Sequence, residues 1–286
     1  MEILRAKNSG FCFGVRRAIN KANELIKNTK TEEIYMLGEI IHNPQVIKDF
    51  KKKGVQIVNE VSLVPCKKYL ITRAHGISSY EKEIARQRNI RIIDTTCPYV
   101  KKLHQIASLL NKENYQLYIF GDKDHPEIKS LLSYNNTNAI VFQSCKDLKK
   151  YCSTLSQKVG LISQTTRDED EFKEVISKIF DDVEELRVFN TICKATSLRQ
   201  NSTKELANQV DLMIVVGGHN SANTTRLAQL SKKVGAETYH IESVKDIKEK
   251  WFDGKDKIGI TSGASTPEYI TENVINRIKK IISKNC

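Results

Sequence analysis

The chain repeats one layout three times, and each repeat contains one cysteine. Cys12, Cys97 and Cys193 lie at nearly equal intervals along the 286 residues. A short apolar run precedes each cysteine, and a helical pattern of apolar residues follows it. Two further apolar runs, each ending in small or polar residues, complete every repeat. Strands that alternate with helical patterns are typical of βαβ units, so the sequence predicts an α/β fold with parallel sheets.

The period predicts three α/β domains with three strands each. We expect the domains to span residues 12–96, 97–192 and 193–286, and residues 1–11 to add a strand to the sheet of the third repeat. The nine apolar runs expected to form strands are 1–4, 35–37, 69–72, 90–93, 118–120, 159–162, 186–189, 213–216 and 258–261.

Polar residues follow the apolar runs at matching places in the repeat. In open parallel sheets, ligands bind beyond the carboxyl ends of the strands. A single polar residue at such a place is as readily a helix cap as a ligand-binding group. Nine places in register favour a shared binding site. Apart from the cysteines, the candidate residues are His42, His75, His125, Thr165, Ser221, Asn223 and Ser265.

The three repeated cysteines favour an iron–sulfur cluster over zinc. Structural zinc sites usually contain paired Cys-x2-4-Cys ligands, and the chain has no such pair. Thiolates hold iron–sulfur clusters, and three of them leave one iron of a four-iron cluster open to substrate. The cysteines outside the repeat are interpreted as ordinary buried or loop thiols, or as part of a frayed terminus: Cys66, Cys145, Cys152 and Cys286.

The candidate residues form a donor-rich set that suits the oxygens of a phosphate or diphosphate. Residues 217–223 are small or polar and precede a helical pattern over 224–230, so we expect backbone N–H groups of that helix to be open to an anion. Gly263–Pro267 has a similar pattern, in which Pro267 is predicted to lie in a first helical turn. A metal-binding role for the histidines is an alternative.

Glu127 is the only acid within the repeated polar positions, two residues after His125. A carboxyl group beside an anionic ligand has a raised pKa, as a proton donor at neutral pH requires. Thr165 is a candidate to relay or orient that proton. The alternative role of Glu127 is that of a first-turn acid that complements the helix dipole.

Composition limits the other classes of protein. The net charge of +12 indicates solvated helix faces, attraction of an anionic substrate or an acidic electron donor, or nucleic-acid binding, and the lysines are too scattered to favour the last. No run of 18 apolar residues and no signal-peptide pattern occurs, so we expect a cytoplasmic protein that does not enter membranes. The chain lacks a Gly-x-Gly-x-x-Gly fingerprint, which argues against a bound dinucleotide.

The combined motifs resemble one family, the 4-hydroxy-3-methylbut-2-enyl diphosphate reductases, over essentially the whole chain. The segments that carry the resemblance are 10–15, 42–44, 73–76, 94–98, 121–127, 164–166, 192–196, 220–223 and 263–265. Ala222 stands where the family commonly has a second serine, which removes one side-chain hydrogen bond to the substrate.

The resemblance implies three pseudo-threefold-related α/β domains around a central [4Fe-4S] cluster. It implies Cys12, Cys97 and Cys193 as cluster ligands and Glu127 as the proton donor, with Thr165 near the substrate hydroxyl. The substrate diphosphate would contact His42, His75, His125, Ser221, Asn223 and Ser265. The implied reaction is a reductive dehydroxylation in which the hydroxyl binds the open iron, giving isopentenyl and dimethylallyl diphosphate. A ferredoxin or flavodoxin would supply the electrons to a monomeric enzyme.

Two other classes of function compete with the reductase. A non-catalytic iron–sulfur sensor or anion-binding protein could have the same scaffold, but it would need no proton donor such as Glu127. A nucleic-acid-binding protein would be explained by the positive charge alone.

Overall fold

The protein is described by a computed structural model at residues 1–134, 138–148 and 157–283. The strands are β1 (Glu2–Arg5), β2 (Ile34–Leu37), β3 (Gln56–Val58), β4 (Tyr69–Ile71), β5 (Arg91–Ile93), β6 (Gln116–Phe120), β7 (Ile140–Phe142), β8 (Lys158–Ser163), β9 (Glu185–Val188), β10 (Leu212–Val216), β11 (Glu237–Ile241) and β12 (Lys257–Ser262). The helices are α1 (Phe13–Asn28), α2 (Pro44–Lys52), α3 (Ser79–Gln87), α4 (Pro98–Lys112), α5 (Pro126–Tyr134), α6 (Cys145–Leu148), α7 (Glu169–Phe180), α8 (Lys194–Ala207), α9 (Ala222–Lys233) and α10 (Glu268–Ile282). Among these helices, none combines the length and the apolar character that a bilayer crossing requires.

The strands form three four-stranded parallel sheets with the same strand order. Sheet A has the order β11-β10-β12-β1, sheet B the order β3-β2-β4-β5, and sheet C the order β7-β6-β8-β9. In each sheet the strand before a cysteine is an edge strand: β1 precedes Cys12, β5 precedes Cys97 and β9 precedes Cys193. The predicted α/β fold with three small parallel sheets is confirmed.

The first strand of the chain pairs with its last strand. Glu2 to Arg5 of β1 lie in parallel register with Lys257 to Ile260 of β12. Contacts divide the chain into two compact units: the first contains sheet A and comprises Met1–Arg16, Ile41–Lys48 and Lys194–Cys286, and the second contains sheets B and C and comprises Arg17–Ile40 and Asp49–Cys193. Division into three domains at residues 96 and 192 stays a prediction.

The central strands are buried on both faces, which explains their continuous apolar sequences. Every residue of β10 is buried, and the apolar side chains on one side of sheet A pack on Trp251 and Phe252. Glycines in β8 and β12 allow the helices that follow Cys97 and Cys193 to pack close to the sheets. A Cβ atom on Gly160 of β8 would lie 2.7 Å from Leu110 of α4. Gly259 of β12 has the corresponding place beside Leu206 of α8.

Three strands lie outside the predicted set. The nine predicted strands are present, but β3, β7 and β11 complete the sheets at their edges. Two of them have only three residues and all three are partly exposed, so their apolar signal is weak. Two helix starts were also wrong. The helix predicted from Thr224 begins at Ala222, and Pro267 is the N-cap of α10 and lies outside its first turn.

Candidate active site

The three repeated cysteines occupy equivalent corners between a strand and a helix. Cys97 is the N-cap of α4, and α1 and α8 begin directly after the other two cysteines. The backbone N–H of each cysteine donates to a carbonyl in the loop after β12, β4 or β8. Cys12 donates to Ala264 at 3.2 Å, Cys97 to Ala74 at 2.9 Å, and Cys193 to Thr165 at 2.9 Å. The backbone of each cysteine is therefore hydrogen-bonded to a loop that contains a candidate ligand-binding residue, namely Ser265, His75 or Thr165.

The cysteine positions suit thiolate ligands. Cys12, Cys97 and Cys193 form no disulfide within the described part of the chain, and each is half-buried. Val15 N–H donates to the Cys12 sulfur at 3.4 Å, at the start of α1. The positive end of a helix dipole favours anionic groups at such a place. The donor set and its three equivalent positions fit an iron–sulfur cluster.

Side chains that the sequence analysis missed hold these cysteine corners in place. Thr95 Oγ1 donates to Thr72 O at 2.6 Å, and Thr191 Oγ1 donates to Ser163 O at 2.5 Å. Both threonines lie two residues before a cysteine, a repeated spacing that could have identified them. In the first unit, Arg199 donates to Gly10 O at 2.6 Å and has no sequence counterpart in the other repeats.

In the first unit, neutral side chains assemble around the N-terminus of α9. Ser221 is the N-cap of this helix and accepts from Thr224 N–H. Ser265 Oγ lies 2.9 Å from His42 O, to which it donates, and 3.5 Å from Ser221 Oγ. Because β10 and β12 are neighbours, with Val216 opposite Ser262, their following loops meet at one edge of the sheet. We call Ser221, Asn223 and Ser265 the hydroxyl–amide group.

Asn223 is the member of this group with an unsatisfied side chain. It is only 5% exposed, and its amide oxygen and nitrogen have no hydrogen-bond partner within the described residues. Leaving such a group unpaired costs about 1–3 kcal/mol. A ligand with both acceptor and donor capacity near the start of α9 would remove that cost.

In the second unit, a buried carboxyl group contacts a threonine. Glu127, in the first turn of α5, is 1% exposed. Its Oε1 accepts from Thr165 N–H at 2.8 Å, and its Oε2 lies 2.7 Å from Thr165 Oγ1. The pairing follows from the sheet, because β6 and β8 are neighbours with Phe120 opposite Ser163. We call His125, Glu127 and Thr165 the carboxylate group.

Burial raises the pKa of Glu127, and the two hydrogen bonds from Thr165 oppose that rise. Desolvation is the larger effect, so the carboxyl group holds its proton to higher pH than an exposed glutamate does. A helix-dipole acid on a solvated first turn would show no such burial. The geometry thus favours the proton-donor interpretation of Glu127 over the helix-dipole one.

His125 contacts the backbone of Glu127 and the ring of His75. His125 Nδ1 accepts from the N–H of Glu127 at 3.2 Å. The rings of His75 and His125 meet edge to face, with centroids 5.3 Å apart.

Gln164, which directly precedes Thr165, accepts from Asp122 N–H at 2.9 Å and so joins the loop after β6 to the loop after β8.

The predicted site residues are thus divided between the units. The hydroxyl–amide group, Cys12 and His42 belong to the first unit, whereas the carboxylate group, His75, Cys97 and Cys193 belong to the second. Of the remaining cysteines, Cys66 is exposed and Cys145 begins α6. Cys152 and Cys286 lie outside the described residues.

The fold and these groups define an α/β protein whose predicted ligand-binding and proton-donating side chains follow the carboxyl ends of parallel strands. The model of the LytB protein family matches residues 3–279, and the chain belongs to this family.

Curated relatives align along almost their full length. A protein of Aquifex aeolicus named 4-hydroxy-3-methylbut-2-enyl diphosphate reductase is 42% identical over 284 residues, covering 98% of this chain and 97% of the relative. A protein of the same name from Syntrophotalea carbinolica is 40% identical over 279 residues, covering 97% and 98%.

Two solved structures are similar to this chain. One, described as (E)-4-hydroxy-3-methyl-but-2-enyl diphosphate reductase, the terminal enzyme of the non-mevalonate pathway, has a TM-score of 0.71 at 41% identity and covers 98% of this chain and 100% of its own. The other is the E-1-hydroxy-2-methyl-but-2-enyl-4-diphosphate reductase of Plasmodium falciparum. It has a TM-score of 0.91 at 30% identity and covers 96% of this chain and 86% of its own.

Proposed function

We propose that this protein catalyses the reductive dehydroxylation of (E)-4-hydroxy-3-methylbut-2-enyl diphosphate. The substrate loses its hydroxyl group as water and takes up two electrons and two protons, which yields isopentenyl diphosphate and dimethylallyl diphosphate. Family membership and the names of the relatives support the reaction. The observation that carries the proposal is the buried pair of Glu127 and Thr165, a proton source that a sensor or binding protein would not need.

The proposed cofactor is a [4Fe-4S] cluster held by Cys12, Cys97 and Cys193. When bound, it would pass single electrons to the substrate and offer one iron without a protein ligand as a Lewis acid. The three equivalent cysteine corners and their half-buried thiols support this assignment. An external carrier, a ferredoxin or flavodoxin, is the proposed source of the electrons.

The hydroxyl–amide group is proposed to bind the diphosphate. Ser221 offers a hydroxyl donor and Asn223 offers an amide donor, beside the N-terminal N–H groups of α9. Ser265 would add its hydroxyl by turning it from His42 O to the anion. Charge-assisted hydrogen bonds to phosphate oxygens are stronger than neutral ones. His42, His75 and His125 are proposed to add further donors to the same anion.

The carboxylate group is proposed to deliver protons. Burial raises the pKa of Glu127, which favours the protonated form that a donor needs, and Thr165 Oγ1 fixes the orientation of that carboxyl group. Transfer of the proton leaves a carboxylate, which the two hydrogen bonds from Thr165 then stabilise. The same pair can therefore serve both the acid and its conjugate base.

Anaerobic purification, followed by counting of iron and sulfide, tests the proposal. We expect about four irons and four sulfides per chain. With a chemical reductant and the hydroxylated diphosphate, we expect both isomeric products by mass spectrometry. A protein with an intact cluster that leaves this substrate unchanged would contradict the reductase assignment and favour the sensor.

A further inference from the structure

A cavity lies in the second unit, apart from the candidate site residues. Its volume is about 670 Å³, within the range of roughly 300–1,000 Å³ that small-molecule sites occupy. Residues of α3, α4 and α5 and of the loops after β4 and β5 line it. None of the proposed cluster ligands, diphosphate-binding residues or proton-donating residues is among them.

Part of the lining is uncharged and aromatic. The rings of His104 and Tyr134 lie 5.2 Å apart, and Tyr134 Oη donates to Ile77 O at 2.9 Å. Burial, and secondarily the charge of Lys82, lowers the pKa of His104 to about 4, so this ring is neutral at pH 7. With Leu109, these side chains form an apolar surface that suits a planar or branched hydrocarbon body.

The charged part of the lining is mainly positive. Three lysines, Lys82, Lys101 and Lys112, line the cavity together with one acid, Asp94. Asp94 pairs with Lys101. Within the described residues, neither of the other two lysines forms an ion pair, and Lys82 Nζ lies 5.2 Å from the centre of the Tyr134 ring. Two uncompensated cations beside an aromatic surface are complementary to an anion with an apolar body.

Three residues that line the cavity lie close in sequence to proposed active-site residues. Gly76 follows His75, Thr96 precedes Cys97, and Ser130 lies one helical turn after Glu127. Gly76 has φ of +101°, and a Cβ atom there would lie 2.6 Å from Ser130 Oγ. The wall between the two loops and α5 is therefore tightly packed.

We propose that this cavity binds a small amphiphilic anion, with its phosphate, sulfonate or carboxylate between Lys82 and Lys112 and its apolar body against Tyr134 and His104. Two separated cations select a terminal anionic group, and the neutral aromatic surface selects the hydrophobic part. A bound molecule of this class contacts Gly76, Thr96 and Ser130, the neighbours of three proposed active-site residues.

The test is a fluorescence titration of the full-length protein with 8-anilinonaphthalene-1-sulfonate, an aromatic sulfonate whose emission rises in an apolar site. Ser108 of α4 lines the cavity, and Ser108→Trp fills it. The matched control is Ser177→Trp, on an exposed position of α7. We expect Ser108→Trp to weaken binding about tenfold or more, because the indole excludes the probe, and the control to bind like the unaltered protein.

A second variant, which changes charge and does not fill the cavity, tests the proposal even if Ser108→Trp fails to fold. The double variant Lys82→Glu and Lys112→Glu should weaken sulfonate binding about tenfold and leave binding of neutral 1-naphthol unchanged. Equal sulfonate affinities of Ser108→Trp and Ser177→Trp, or an unchanged affinity of the double lysine variant, would overturn the proposal.

Discussion

The hydroxyl–amide group and the carboxylate group follow strands in sheets of the same order, but they differ in chemistry. In sheet A, the segments after the two central strands bring together two hydroxyls and, in the first turn of α9, an unsatisfied amide. In sheet C, the equivalent segments bring together a threonine and, in the first turn of α5, a buried carboxyl. None of the three side chains of the hydroxyl–amide group changes charge near neutral pH, whereas Glu127 can hold and release a proton. On the proposed function, one repeated scaffold provides binding at one place and proton transfer at another.

The cysteines give the largest expected effect, because the proposed cluster, and with it electron transfer to the substrate, depends on them. Cys12→Ser in the first unit and Cys97→Ser in the second should each abolish turnover and the visible absorption of the cluster. Removal of one of three thiolates leaves too few protein ligands. The matched control is Cys66→Ser, at an exposed cysteine that should be dispensable. An active, coloured Cys12→Ser variant would show that the first unit contributes no cluster ligand.

Glu127→Gln should separate proton transfer from binding. We expect kcat to fall about 10²–10⁴-fold while KM and the cluster spectrum stay nearly unchanged, since general-acid catalysis contributes about this much. Steady-state kinetics under anaerobic conditions measure both constants. Glu205→Gln, at an exposed position of α8, is the control. A change in KM alone would assign Glu127 to binding and remove the contrast between the groups.

Asn223→Leu should show the opposite pattern. We expect KM to rise about tenfold with a smaller change in kcat, because one donor to the diphosphate is lost. The ligand-free protein should become more stable to denaturant by about 1 kcal/mol, because a buried amide without a partner is replaced by an apolar side chain. The control is Asn201→Leu on the exposed part of α8. Loss of stability together with an unchanged KM would mean that the amide has no ligand-binding role.

Thr165→Val tests a smaller effect, the tuning of the proton donor. The hydroxyl of Thr165 lowers the pKa of Glu127, so its removal should raise that pKa further. Because the protonated carboxyl is the donor, kcat falls as pH rises through its pKa. The falling limb of the pH–kcat profile should therefore move to higher pH in Thr165→Val and stay in place in Thr165→Ser. A shift to lower pH would contradict the proposed hydrogen bond to the carboxylate.

The pH dependence of the free energy of unfolding should reflect the raised pKa of Glu127. A carboxyl group with a raised pKa in the folded state binds more protons there than in the unfolded state. The free energy of unfolding therefore falls as pH rises from the ordinary glutamate value towards the folded pKa. This loss should be absent in Glu127→Gln, so its stability relative to the unaltered protein should improve as pH rises above the ordinary glutamate pKa, as denaturant titrations at a series of pH values would show.

Much of the fold was accessible from the sequence because its signals are local. Apolar runs of three or four residues mark the central strands of the sheets, and the cysteines that follow β1, β5 and β9 give the period. The edge strands β3, β7 and β11 are short or partly polar. Their identity depends on pairing with β2, β6 and β10, which no local pattern reveals.

By itself the sequence determined the threefold repeat, the parallel sheets and which polar residues follow the strands. Only the tertiary structure decided which of those residues meet. Glu127 contacts Thr165, 38 positions away, because β6 and β8 pair side by side, and the helix after β6 then buries the carboxyl. Asn223 was a candidate from its position in the sequence, but only the folded structure shows that its amide is buried without a hydrogen-bond partner among the described residues. Desolvation and the loss of hydrogen bonds to water are properties of a packed neighbourhood, so the chemistry of both side chains depends on the fold.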